Sequence, residues 1–143
     1  MVTLNTANRA DPRPSTIALR TLVVGLTLAT AAIHASLGGL LFLANAIGYT
    51  TLAIAMVAPG PIGQVRWLVR LALIGFAAVT IGGWVMFGTR FPLAYLDKAI
   101  EVALIGAVTL ELWSVDGGLA GATRRARRLL ARVTGRGAAR APR

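Results

Sequence analysis

The sequence predicts an all-α fold: a transmembrane bundle of four helices in antiparallel, up-and-down order, followed by a C-terminal cationic amphipathic helix on the membrane surface. Three observations lead there. The chain of 143 residues is 56% hydrophobic and only 14% charged, against roughly 25% charged residues in soluble domains. Four apolar stretches occupy most of the sequence between Ile17 and Val115. Beyond Asp116 come eight arginines and no acid, so most of the net charge of +10 sits in one tail. A soluble fold of this length could not hide so much apolar surface, whereas in a bilayer lipid covers it.

Taken in order, residues 1–16 form a polar lead containing Asn5, Asn8, Asp11, Pro12 and Pro14. They are predicted to be disordered and to end in a helix start at Ser15 or Thr16. The four-helix domain covers residues 17–116. Its first span runs over about 17–37 and ends at Gly38 and Gly39, a pair suited to a tight turn. The second, over about 40–58, is just long enough to cross at 1.5 Å per residue. Pro59, Gly60, Pro61 and Gly63 then break the helix. A third span covers about 65–87 and a fourth about 93–115, closed by Gly117 and Gly118. The apolar core of the first span is longer than a signal-peptide h-region, and no clean small-x-small site precedes polar sequence, so it reads as an anchor.

Orientation follows from Lys and Arg, which resist translocation in short flanks. Arg9, Arg13 and Arg20 precede the first span, Arg66 and Arg70 lie beside the loop between the second and third, and the tail follows the fourth. All belong to one side. The other side has only Arg90 and Lys98. Both termini are therefore expected in the cytoplasm, across a bacterial inner membrane.

The tail, residues 117–143, carries Ala122, Ala126, Leu129, Leu130 and Val133 on one helical stripe between arginines. Such a helix is expected to lie on anionic headgroups, with Arg124, Arg125, Arg127, Arg128 and Arg132 contacting lipid. Nucleic acid is the weaker partner for it, because the helix lacks interleaved aromatics and is tethered to a membrane. Small residues recur every fourth position as Ala31, Ala35 and Gly39 and as Ala99, Ala103 and Ala107, with Gly75 and Gly82 seven apart. These rows are expected to form helix contacts, since transmembrane helices associate through close packing.

Charged side chains at membrane depth are costly and normally face inward. His34, Asn45, Tyr49, Asp97, Lys98 and Glu101 form the candidate intramembrane cluster, with His34, Asn45 and Glu101 expected at similar depth. At 100° per residue Asp97, Glu101 and Glu111 share an arc of about 80°, and Glu111 is expected to pair with Arg20, Arg66 or Arg70. The cluster has two readings. It either forms a polar pocket that exchanges a proton or binds a small cation or polar ligand, or it fixes helix register with Lys98 neutralising Asp97 or Glu101. The second is favoured.

Absence of cysteine excludes disulfides and thiolate metal sites, and a single histidine excludes His-cluster metal or bis-histidine haem sites within one subunit. The glycines form neither a phosphate loop nor a dinucleotide fingerprint, and Ser36 near His34 lacks a nucleophile elbow. No catalytic residue, cofactor or metal is expected, and no enzyme.

The stretches AAIHASLGGLLFLANAIGY (Ala31 to Tyr49) and FPLAYLDKAIEVALI (Phe91 to Ile105) resemble segments of small four-span bacterial membrane proteins of unassigned function. The two stretches that carry it make up about a quarter of the chain. It implies a four-helix integral membrane fold and transfers no functional residue. The expectation is thus a structural or accessory partner, sitting in a larger membrane complex or a homo-oligomer. The alternative is a small oligomeric transporter or channel-like protein with a polar path near His34, Asn45 and Glu101.

Overall fold

The computed structural model describes residues 14–134, and these are all helix and short connections with no strand among them. Helix α1 covers Pro14–Leu37, α2 Leu40–Val57, α3 Gly60–Gln64, α4 Arg66–Phe87, α5 Pro92–Asp116 and α6 Gly118–Val133. The predicted lead up to residue 13 and the tail beyond residue 134, including Arg136, Arg140 and Arg143, lie outside the described residues.

Local chemistry sets the helix ends. Gly38 and Gly39 have φ of +69° and +82°, a pair of left-handed conformations that only glycine adopts without cost, and they reverse the chain between α1 and α2. The Pro-Gly break after α2 forms the single turn α3 instead of an irregular loop. Arg66 donates to the Ala58 carbonyl at 2.9 Å, satisfying an acceptor at the C-terminal end of α2. Pro92 stands in the first turn of α5, where its missing N–H costs nothing. Gly117, at φ +74°, closes α5 and donates to the carbonyls of Leu112 and Trp113.

Helix α1 packs against α2 and α5, α4 packs against α5 and α2, and α6 rests on α5. Three helices, α1, α2 and α4, are long and apolar enough to cross a bilayer, which supports a membrane protein. Helix α5 is longer, at 25 residues, but carries Asp97, Lys98, Glu101, Glu111 and Asp116, all of them buried. The outer surface is oily instead: Leu40, Val79, Met86 and Phe87 are each more than 70% exposed. This inverts the arrangement of a soluble domain.

On α1, α4 and α5 the interior face repeats one order, and α2 shares its first two layers. Between Thr30 and Arg20 on α1 lie Val23 and Thr27, whose hydroxyl donates to the Val23 carbonyl, and between Thr80 and Arg70 on α4 lie Ala77 and Leu73. On α5 Leu104 and Val108 separate Glu101 from Glu111, and Met56 follows Tyr49 on α2. The interior is therefore stratified, with a completely buried layer that is apolar except for Thr27 between two charged layers about 15 Å apart along α5, ten residues at 1.5 Å each.

The small-residue rows only partly face this interior. Ala31 and Ala107 are buried, but Ala35, Ala99 and Ala103 are exposed, and a Cβ added at Gly75 or Gly82 would meet open space. Spacing puts such residues on one face without deciding which face turns inward. A close approach does occur at Gly48, where an added Cβ would come within 2.5 Å of the Phe76 ring.

Candidate functional site: a buried charged cluster

Residues from all four long helices meet in the first charged layer. On α5, Asp97, Lys98 and Glu101 lie within about one turn, so their side chains leave the same flank of the helix. Lys98 Nζ stands 2.6 Å from Glu101 Oε2 and 2.9 Å from Asp97 Oδ2. The second oxygen of each carboxylate is bonded to a different helix. Thr30 of α1 donates to Asp97 Oδ1 at 2.6 Å, and Tyr49 of α2 and Thr80 of α4 reach Glu101 Oε1 at 2.7 and 2.8 Å. Tyr49 and Thr80 are themselves 2.9 Å apart. Buried carboxylates are tolerated only when paired and hydrogen-bonded, and both conditions are met here.

His34 fills the space between the two carboxylates and is 2% exposed. Its Nδ1 lies 2.9 Å from the Thr30 carbonyl, an acceptor, so Nδ1 carries the proton in that bond. Nε2 lies 4.0 Å from Glu101 Oε1, beyond hydrogen-bonding distance, and in a neutral ring it carries the lone pair. With a neutral imidazole the cluster holds two carboxylates against one ammonium, and a protonated imidazole would balance it. Tyr49 is edge-on to Phe76, with ring centroids 4.8 Å apart, which fixes its hydroxyl over Glu101.

One atom each from His34, Asp97 and Glu101 fall within 4.8 Å of one another, a set that could ligate a cation. The Lys98 ammonium already serves both carboxylates as their cation. Asn45 does not enter the network, which closes without it; it lines an adjacent cavity of about 420 Å³ together with His34, Thr80, Asp97 and Lys98. The remaining wall is aromatic and aliphatic, from Phe42, Trp84, Phe87 and Phe91 among others. Trp84 is held by its Nε1 donating to the Thr89 carbonyl at 3.1 Å and by Arg90, 4.6 Å over its ring.

The second charged layer centres on Arg70, 2% exposed, which donates to Glu111 at 2.7 Å and to Asp116 at 2.6 Å. Arg20 donates to Glu111 at 3.1 Å. Of the three partners expected for Glu111, Arg66 is therefore the exception, because it is bonded to the Ala58 carbonyl. Arg125 of α6 stands 2.9 Å from Asp116 Oδ1, so one of the arginines expected to touch lipid also ties its helix to α5. Arg124, Arg127 and Arg128 are exposed, and the side chain of Arg132 lies outside the described ones. Ala122 is buried, whereas Leu130 of the same expected stripe is 64% exposed.

The sequence reading missed Thr30, Thr80 and the Arg70–Asp116 pair. Thr30 stands four residues before His34, on the same helix face, and that spacing was an available signal. Nothing local marks Thr80.

No family model, no curated protein and no solved structure matches this chain.

Proposed function

We propose that this chain is a four-span, antiparallel integral protein of a bacterial inner membrane, with both termini in the cytoplasm, and that it acts as a structural or accessory partner. On this reading the charged layers are fasteners. Transmembrane helices gain little from hydrophobic association, so buried polar contacts that join four helices specify one packing where apolar faces alone would allow several. The carrying observation is the layer of Val23, Met56, Leu73, Leu104 and Val108, each completely buried, between the two charged layers; Thr27, the polar residue buried at that level, spends its hydroxyl on the Val23 carbonyl of its own helix. A conduit within one protomer would need polar groups or water there.

Helix α5 is the fourth span. Its charges are paired with partners on α1, α4 and α6 or on α5 itself, and its exposed positions include Val102, Leu110 and Trp113, a surface fit for lipid. Helix α6 lies along the cytoplasmic leaflet, with Arg124, Arg127 and Arg128 turned to anionic headgroups. Exposed Ala35, Ala99 and Ala103 offer small faces on which a partner helix can pack.

The deciding experiment pairs isolation in mild detergent with flux in proteoliposomes. Co-isolation with a larger membrane complex, without proton or alkali-cation flux, is the expected result. A homo-oligomer that conducts in a pH-dependent manner would replace this reading with the transport one.

A further inference from the structure

Beside the first charged layer lies a cavity whose polar floor has hydrogen-bonding capacity left over. Each carboxylate is engaged through both oxygens. Lys98 has three N–H donors and spends two, on Asp97 and Glu101. Its side chain, 11% exposed, lines the cavity. In its neutral form His34, a residue 2% exposed and also part of the lining, has an Nε2 lone pair with no donor within hydrogen-bonding distance among the described residues. Asn45 adds an amide with no hydrogen bond among the described residues.

These three groups define the head that would satisfy them. An acceptor is wanted by Lys98 and Asn45, and a donor by His34. One hydroxyl supplies both. Around that floor stand Phe42, Trp84, Phe87 and Phe91, whose faces and edges suit a flat ring. The volume, about 420 Å³, falls within the range of about 300–1,000 Å³ of small-molecule pockets. Leu41, Val79 and Phe87 at its rim are 72%, 73% and 83% exposed, so the opening faces the same apolar surroundings as the helix exteriors. An anionic ligand would meet a cluster in which two carboxylates already face one ammonium, and it would have to be desolvated there.

We propose that this cavity binds a neutral lipophilic phenol that enters from the membrane, its hydroxyl donating to His34 Nε2 and accepting from Lys98 and Asn45 while its ring lies among the aromatic walls. The site is compatible with an accessory role and does not depend on one.

The test titrates para-hexylphenol into the full-length protein in nanodiscs and follows tryptophan fluorescence, with its methyl ether as the control that keeps shape and acceptor but has no donor. Saturable change with the phenol, binding at least about tenfold weaker for the ether, and loss of the signal in Trp84→Phe are expected. Gly83→Phe should abolish the change, because Gly83 lines the cavity and a Cβ there meets nothing within 4 Å. Should that variant not fold, Asn45→Leu, outside the charged network, should weaken binding about tenfold. Equal response to phenol and ether means bulk partitioning and overturns the proposal, as does a binding curve unchanged in a folded Gly83→Phe or in Asn45→Leu.

Discussion

Lys98 Nζ lies 2.6 Å from Glu101 Oε2, one turn along the same helix, and 2.9 Å from Asp97. One ammonium therefore faces two buried carboxylates, and its removal would leave both without their nearest cation. Lys98→Met is expected to lower stability by about 3–5 kcal/mol, the range for breaking a buried pair from one side. Lys98→Met combined with Glu101→Gln should lose less than the sum of the two single changes, since the second relieves the charge stranded by the first. Thermal unfolding of the four proteins in one detergent measures this cycle, and strict additivity would show that the pair is not coupled.

The same contact explains how far the sequence could be read. The arc shared by Asp97, Glu101 and Glu111 does face inward, since all three are buried; helical period and the cost of charge in an apolar medium together allowed only that. Helices α2 and α4 begin and end within a residue of the apolar stretches, because the Gly-Gly and Pro-Gly punctuation that bounds them acts locally. Partners across helices were less legible. Thr80 looks like Thr27, Thr50 or Thr109, each of which bonds its own preceding turn, and only the packing of α4 on α5 brings it to Glu101. Asp116 read as a helix end, yet Arg70, 46 positions away, binds it at 2.6 Å.

Tyr49 and Thr80 both approach Glu101 Oε1. Tyr49→Phe keeps the edge-on packing against Phe76 and removes one donor to a buried carboxylate. The expected loss is about 1–3 kcal/mol, with Tyr49→Phe plus Thr80→Val costing more than either alone. Denaturation midpoints in detergent measure it. A midpoint for the double variant equal to that of the wild type would mean that these hydroxyls do not hold Glu101.

At Gly48 the absent Cβ leaves room for the Phe76 ring. Gly48→Ala must push that ring away from Tyr49, an overpacking expected to cost about 1–3 kcal/mol. Ordinarily Ala stabilises a helix relative to Gly by roughly 0.5–1 kcal/mol, so the sign of the change separates the two effects. A rise in thermal stability would show that α2 and α4 do not approach as closely as described.

Arg70 joins Glu111 to Asp116 through separate guanidinium nitrogens. Lysine offers one nitrogen at the end of a flexible stem and cannot reproduce that fork. Arg70→Lys is therefore expected to destabilise nearly as much as Arg70→Met, by about 3–5 kcal/mol for the latter. Full retention of the melting temperature in Arg70→Lys would indicate that charge alone suffices there.

Helix α6 has two claims on its arginines. Arg125 is held by Asp116 at 2.9 Å, while Arg124, Arg127 and Arg128 are exposed. Asp116→Asn removes the charge that draws α6 onto α5 and should speed trypsin cleavage among these arginines in neutral nanodiscs. Anionic nanodiscs should slow cleavage in both wild type and variant, because headgroups then take over the cations, each worth on the order of 1 kcal/mol at the surface. The contrast apportions α6 between protein and lipid: protection that follows lipid charge but ignores Asp116→Asn would make the Arg125 contact incidental, and protection that ignores lipid charge would remove the headgroups as partners.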